Sequence, residues 1–277
     1  MSRSRTRIAI VAPASRLTQD TAREVATLAG GLYPDVELYF HPQCFLSSGH
    51  FAGTDDERAS AFLDVANDAG FDAVWFARGG YGSGRIAERV AAELAPASRA
   101  KTYLGYSDLG FLLAALYREG LDVAHGPMPA DLRRAGGEAA VARGLRWLVE
   151  RAPDALEPHV AEDSPVAAFN ITVLSNLLGT GMEPDLTDHV LMIEDVSEHL
   201  YRIDRAIFHI LSHRHLRGLR GIRLGRVSDI LPNDPDFGED EEAIVRGWCG
   251  RFGVAYLGRA DIGHDVDNKV VPFGRRR

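Results

Sequence analysis

Apolar and polar positions along the first half of the chain follow two rhythms. Short, nearly continuous apolar runs predict strands at Arg7–Val11, Val36–Phe40, Ala73–Ala77, Thr102–Gly105 and Asp122–His125. Between them, apolar residues at helical spacing predict helices near Gln19–Ala29, Asp55–Ala69, Arg85–Leu94 and Leu109–Arg118. The second helix opens on Thr54-Asp55-Asp56-Glu57, a capping box in which each end residue satisfies a backbone donor of the first turn. Strands that are apolar throughout, alternating with helices, predict a parallel sheet covered on both faces. Doubly wound sheets of this kind put their sites at the C-terminal ends of the strands.

From Arg143 to Pro165 the rhythm breaks. Glu, Ala, Asp and Pro dominate, which predicts a linker. Beyond it come a helical run over Asn170–Leu178 capped by Asn170, a strand at Val190–Glu194 and an amphipathic helix from about Arg202 to His213. A strand at Ile222–Val227, a helix near Glu239–Phe252 and short strands at Val254–Leu257 and Lys269–Pro272 follow, with no internal repeat. The expected architecture is α/β: a doubly wound parallel-sheet domain over residues 1–150, a linker over 151–165 and a smaller α/β domain over 166–277.

Composition narrows the partners. Of 277 residues, 45% are apolar, ample for a packed core, and the net charge is −8, which repels phosphate backbones and argues against a nucleic-acid partner. No run approaches the roughly 18 apolar residues of a membrane span. Arg3, Arg5 and Arg7 before Ile8–Ala14 superficially match a secretory signal, but the run is too short and ends at Pro13 and Ser15, so it reads as a first strand. Cys44 and Cys249 match no metal or redox spacing and fit a reducing compartment. A cytoplasmic location is expected. The terminal Arg275-Arg276-Arg277 reads as a solvated tail.

Four segments carry candidate chemistry. Gly105-Tyr106-Ser107-Asp108 sets a serine between a strand and a helix, where a sharp turn exposes the hydroxyl and aims the first helical amides at the same point. The alternative is that Ser107 only caps the helix. Arg78-Gly79-Gly80-Tyr81-Gly82-Ser83-Gly84, after a strand, is neither a Walker A loop nor GxGxxG; it reads as a ligand-facing loop or a tight turn. Glu194-Asp195, with Glu198 following, could orient a histidine, bind a metal or cap a helix, and His264 follows Gly263 in a late loop. His209, His213 and His215 could chelate a metal, although Arg205 and Arg214 disfavour a nearby cation, so no metal is expected.

Taken in order, these segments resemble the LD-carboxypeptidase family of serine peptidases, which includes murein tetrapeptide carboxypeptidases and microcin-immunity hydrolases. The resemblance runs from Ile8-Ala9-Ile10-Val11-Ala12-Pro13 through Phe51-Ala52-Gly53-Thr54-Asp55, Ala77-Arg78-Gly79-Gly80-Tyr81-Gly82, Gly105-Tyr106-Ser107-Asp108 and Gly126-Pro127-Met128. It continues in Asn170, Leu177-Leu178-Gly179-Thr180, Ile193-Glu194-Asp195-Val196, Tyr201-Arg202-Ile203-Asp204-Arg205, Gly263-His264 and Pro272-Phe273-Gly274. It implies Ser107 as nucleophile, Glu194 and His264 as its partners, and an active site in the cleft between two domains of a homodimer. The amides of Asp108 and Gly80 would form the oxyanion hole, and Arg78, Gly79, Tyr81 and Asn170 would face the substrate. No cofactor is implied.

The substrate implied is a small peptide, the murein tetrapeptide cut at its terminal L–D bond, or else a peptidyl- or aminoacyl-nucleotide antibiotic. No aromatic-rich insertion offers itself for stacking adenine, and Trp147 reads as core, which favours the muropeptide. Two departures stand out: Ala168-Phe169 replaces the glycine pair usual before the asparagine, and the chain ends soon after Pro272-Phe273-Gly274, so the last sheet edge is expected to differ. A non-catalytic two-domain binding protein is the alternative outside enzymology.

Overall fold

A computed structural model describes residues 6–161 and 164–275. Arg3, Arg5, Glu162, Asp163, Arg276 and Arg277, which entered the readings of a signal, a linker and a tail, lie outside the described residues.

The predicted apolar runs form β1 (Thr6–Val11), β2 (Val36–Phe40), β3 (Ala73–Phe76), β4 (Thr102–Gly105) and β5 (Asp122–His125). β3 and β4 are buried at every position, as strands covered on both faces must be. The helices are α1 (Gln19–Leu32), α2 (Asp55–Ala66), α3 (Ala87–Ala92), α4 (Gly110–Arg118) and α5 (Gly137–Glu150). α2 starts on the expected capping box, with both reciprocal bonds of Thr54 and Glu57 present. The five strands pair in parallel in the order β2-β1-β3-β4-β5. α1 packs with α5, and α2, α3 and α4 form a second row. Right-handed crossovers from a strand order that reverses at β1 put the two rows on opposite faces.

Two sequence expectations are corrected here. Residues 143–150, read as the start of a linker, belong to α5, whose Ala140, Val141, Gly144, Leu145, Trp147 and Leu148 form one buried face. Val166–Phe169, assigned to no element, and Asn170, read only as the cap of the following helix, form the fully buried strand β6.

β6 pairs with β7 (Val190–Val196), β7 with β8 (Gly221–Ser228) and β8 with β9 (Tyr256–Arg259), a second, wholly parallel sheet. It is accompanied by α6 (Ile171–Leu177), α7 (Leu200–Ser212) and α8 (Glu241–Phe252). The last strand, β10 (Val271–Pro272), does not join this sheet. It runs antiparallel to β5 on the edge of the first one, with Val271 opposite His125. The chain from Val166 to Pro272 therefore feeds both sheets. Side chains of the two meet in one apolar core, where Gly110 at the start of α4 lets Val173 of α6 approach closely. Among the described residues no helix is long and apolar enough to cross a membrane.

Candidate active site

In a sheet of this order the crevice opens where neighbouring strands lead to opposite faces, here between β1 and β3. A cavity of about 680 Å³ lies there, lined by the segment after β1 (Arg16, Leu17), the glycine loop after β3 (Arg78, Gly79, Gly80) and Tyr106 and Ser107 after β4. The amide of Ser15 donates to the carbonyl of Gly79, tying the first two segments together. A Cβ on Gly79 would stand 2.9 Å from Ser107 Cβ, and one on Gly80, at φ +109°, would collide with the Ser15 hydroxyl. Only glycine lets this loop lie against the serine.

Ser107 occupies the left-handed region at φ 63°, a conformation a non-glycine residue holds only when its surroundings impose it. Its side chain does not cap the helix. The turn is held from behind by Asp108, whose buried carboxylate accepts the Ser83 amide while its carbonyl accepts the Ser83 hydroxyl. Burial pushes the Asp108 carboxyl up, against the pull of those donors.

The Ser107 hydroxyl lies 2.9 Å from Nε2 of His264, and His264 Nδ1 lies 2.5 Å from Oε2 of Glu194. Glu194 is completely buried and His264 nearly so. Burial pulls the imidazole pKa down, but the charge and hydrogen bond of Glu194 outweigh it, and the net shift is upward. In the tautomer that makes the Glu194 carboxylate the acceptor, Nδ1 carries the proton and donates to it. Nε2 is then left as the acceptor facing the serine.

Glu194 sits near the end of β7, where the β7–β8 register shifts between Ile193 and Asp195. The neighbouring carboxylate turns elsewhere, as the two-residue repeat of a strand requires. Asp195 accepts from Asn170 Nδ2, from the amide and hydroxyl of Thr172 and from the Val196 amide. Burial and the adjacent Glu194 charge still raise it to about 6. Glu198 pairs only loosely with Arg202, at 3.5 Å.

The His264 loop has no regular structure, and side chains hold it. Arg226 of β8 reaches Asp261 at 2.6 Å and both carboxylate oxygens of Asp265. Asn268 accepts the Gly263 amide at 3.2 Å and lies 3.1 Å from the buried His125 ring. Tyr106 packs its ring, tilted by 57°, with its centroid 5.0 Å from that of His264, and donates its hydroxyl to Asp131.

Ser107, Glu194, His264, Arg78, Gly79 and Gly80 thus converge, with Asp108 directly behind. Two expected substrate contacts do not line the cavity. Asn170 is a buried N-cap that accepts the Val173 amide and donates to Asp195. Tyr81 is exposed, with its ring beside those of Phe51 and His50. Trp147, set aside as core, is buried. The sequence reading missed Arg16, Arg133 and Arg134, which with Arg78 make the cavity wall basic against a single lining carboxylate, Asp131. Arg133 and Arg134 are paired with Glu24 and Asp131, while Arg16 and Arg78 form no ion pair among the described residues. A second cavity of about 690 Å³, near Glu88, Arg118 and Met182, contains none of these groups.

Comparison with known proteins agrees with this geometry in family. Residues 8–126 match the LD-carboxypeptidase N-terminal domain and residues 164–277 its C-terminal domain. The murein tetrapeptide carboxypeptidase of Pseudomonas aeruginosa is 26% identical, over 97% of this chain and 91% of that one. The crystal structure of muramoyltetrapeptide carboxypeptidase from Oxalobacter formigenes superposes with a TM-score of 0.80 at 23% identity, covering 97% and 93% of the two chains. A microcin C7 self immunity protein in complex with aspartyl sulfamoyl adenosine gives a TM-score of 0.74 at 16% identity, covering 98% and 96%. The two structures speak for the fold.

Proposed function

The chain belongs to the LD-carboxypeptidase family, and from that premise we propose that it is a serine carboxypeptidase that releases the terminal D-alanine of murein tetrapeptides, cutting an L–D peptide bond during cytoplasmic peptidoglycan recycling. The proposal includes a homodimer, a nucleophile carried by residues 1–150, its partners carried by 166–277, and chemistry that uses neither metal nor organic cofactor. One observation carries it: hydroxyl, imidazole and buried carboxylate stand in series at 2.9 and 2.5 Å on the wall of a basic cavity.

Ser107 Oγ attacks the scissile carbonyl as its proton passes to His264 Nε2. Glu194 keeps the ring in the right tautomer and stabilises the imidazolium. The amides of Asp108 and Gly80 meet the developing oxyanion. When the tetrahedral intermediate collapses, His264 returns the proton to the amine of the departing D-alanine. Water, activated by the same base, then hydrolyses the acyl-enzyme. A tetrapeptide ending in D-alanine carries several carboxylates, and Arg16 and Arg78, which form no ion pair among the described residues, suit them. The name of the Pseudomonas relative supports the same substrate class.

The test is incubation with L-Ala-D-Glu-meso-diaminopimelate-D-Ala, with mass spectrometry for free D-alanine. Release by the wild type and none by Ser107→Ala is expected; binding without release by either would mark a binding protein. A second reading, hydrolysis of aminoacyl- or peptidyl-nucleotides, is favoured by the exposed Tyr81 ring beside Phe51 and His50, a surface on which a base could stack. Offering an aspartyl nucleotide in parallel separates the two by their kcat/KM.

A further inference from the structure

Outside the active site, Glu183, His213 and His215 bring one carboxylate and two imidazoles together, with ligand atoms all within 4.8 Å of one another. We propose that this cluster is a binding site for a divalent transition-metal ion of the zinc class, with two histidine nitrogens, one carboxylate oxygen and water as ligands.

The sequence pointed to a different trio. His209 is turned away, its Nδ1 lying 2.9 Å from the Ser175 hydroxyl, and Glu183, from the loop after α6, takes its place. His213 caps the C-terminus of α7 and His215 lies in the 3₁₀ turn that follows, so the His-x-His pair is presented by a single bend of the chain.

The distances suit an ion. Glu183 Oε1 is 2.8 Å from His215 Nδ1 and 3.4 Å from His213 Nδ1. Around tetrahedral zinc, with bonds of about 2.0–2.2 Å, neighbouring donors stand roughly 3.3 Å apart. The other carboxylate oxygen accepts the Gly179 amide at 2.7 Å, an outer contact that aims Oε1 at the rings.

A second observation points the same way. His213 Nδ1 is buried and has no hydrogen-bond partner. Glu183 answers one imidazole, His215, and leaves the other nitrogen beside the same oxygen but out of bonding range. A cation between the three would satisfy all of them. His215 is 74% exposed, which leaves an approach for the ion and room for water. Arg214 and Arg217 on the same turn oppose a cation, whereas the nearby Asp185, whose charge interacts with His215, favours one. The cluster shares no residue with the cavity at Ser107. Its ion would tie the loop leading into β7 to the end of α7, as a staple rather than a reagent.

The test uses the untagged full chain, stripped with chelator and titrated with zinc alone by calorimetry, with cobalt absorption to report geometry. One equivalent should bind, with tetrahedral cobalt bands, and Glu183→Gln and His215→Ala should each weaken binding at least tenfold. His209→Ala should leave it unchanged. Because His215 is largely exposed, His215→Ala tests the site even if Glu183→Gln fails to fold. Absence of saturable binding, or binding indifferent to His215→Ala, overturns the proposal.

Discussion

Glu194 and His264 meet at 2.5 Å with side chains 0% and 7% exposed, whereas Glu183 and His215 meet at 2.8 Å with side chains 9% and 74% exposed. The residue types are the same, and what surrounds them differs. At the first pair the far ring nitrogen faces a serine hydroxyl, and burial leaves the carboxylate as the ring's main charge partner. At the second the carboxylate oxygen is shared with another imidazole, and the ring stands in water. A carboxylate–imidazole pair is therefore not a function in itself. Buried and in line with a hydroxyl it can move a proton; open and doubled it can hold a cation.

The largest effect that tests the first half of this contrast is loss of the hydroxyl. Ser107→Ala should lower kcat/KM by about 10³-fold or more, since the relay then ends on nothing. Circular dichroism and thermal midpoint should stay at wild-type values, because one oxygen at the cavity wall is no part of the core. Turnover that survives would remove the serine mechanism.

Next in size is Glu194→Gln, with an expected loss of about 10²–10³-fold in kcat, because an amide supplies no charge to the imidazolium. The same variant sharpens the pH behaviour. In the proposed mechanism neutral His264 is the active form, and its pKa is raised above the ordinary value by Glu194 against the pull of burial. The acid limb of kcat/KM should thus begin above pH 6.5 and fall tenfold per unit below it. With glutamine the lowering by burial and by Arg134 is opposed only by the Asp195 charge, and the limb should move to lower pH. For stability the sign is opposite in sense: the ion pair contributes fully below the unfolded pKa of about 6.5, and that contribution fades as pH rises through the raised folded value. An acid limb that ignores the substitution would detach Glu194 from the base.

Chelation probes the other pair. The proposed relay uses no ion, so EDTA should leave kcat/KM within about twofold of its starting value. If the Glu183 cluster is loaded, the thermal midpoint should fall on chelation and return with added zinc, rising with the logarithm of its free concentration above Kd. Activity lost on chelation and restored by zinc would move the chemistry to the histidine cluster and erase the contrast.

These features were unequally visible beforehand. β1 to β5 follow their apolar runs to within a residue or so, because a strand buried on both faces leaves an unbroken signature. α5 was lost because Glu138, Arg143, Arg146 and Glu150 dilute its buried stripe, and composition near Pro153 and Pro158 suggested a linker. β10 could not be assigned to the first sheet from its residues, since Val271 pairs with His125, 271 − 125 = 146 residues away, and that is a tertiary fact. The site divides the same way. Ser107 and the glycine loop announce themselves by their turns. His264 lies 157 residues from Ser107 and 70 from Glu194, so family resemblance, not spacing, joined them. Arg16, Arg133, Arg226 and Asn268 carried no local signal at all; loops bring them together.

The smallest predicted effect is also the tightest control on the first pair. Glu198 lies four residues beyond Glu194, so both positions accept the same isosteric change to glutamine. Glu198 precedes His199, the N-cap of α7, and its carboxylate reaches Arg202 at 3.5 Å. That contact is long, and the arginine is half exposed, so solvent screens most of its worth. Its position before the helix start adds a weak favourable field from the N-terminal amides. The carbonyl of Glu198, which accepts the Leu231 amide at 3.0 Å, is untouched by the substitution. Glu198→Gln should therefore cost about 0.5 kcal/mol or less in denaturant unfolding and leave kcat, KM and the acid limb in place. Were Glu198→Gln to collapse kcat while Glu194→Gln did not, the partner of His264 would have to be reassigned, and with it the reason for burying Glu194.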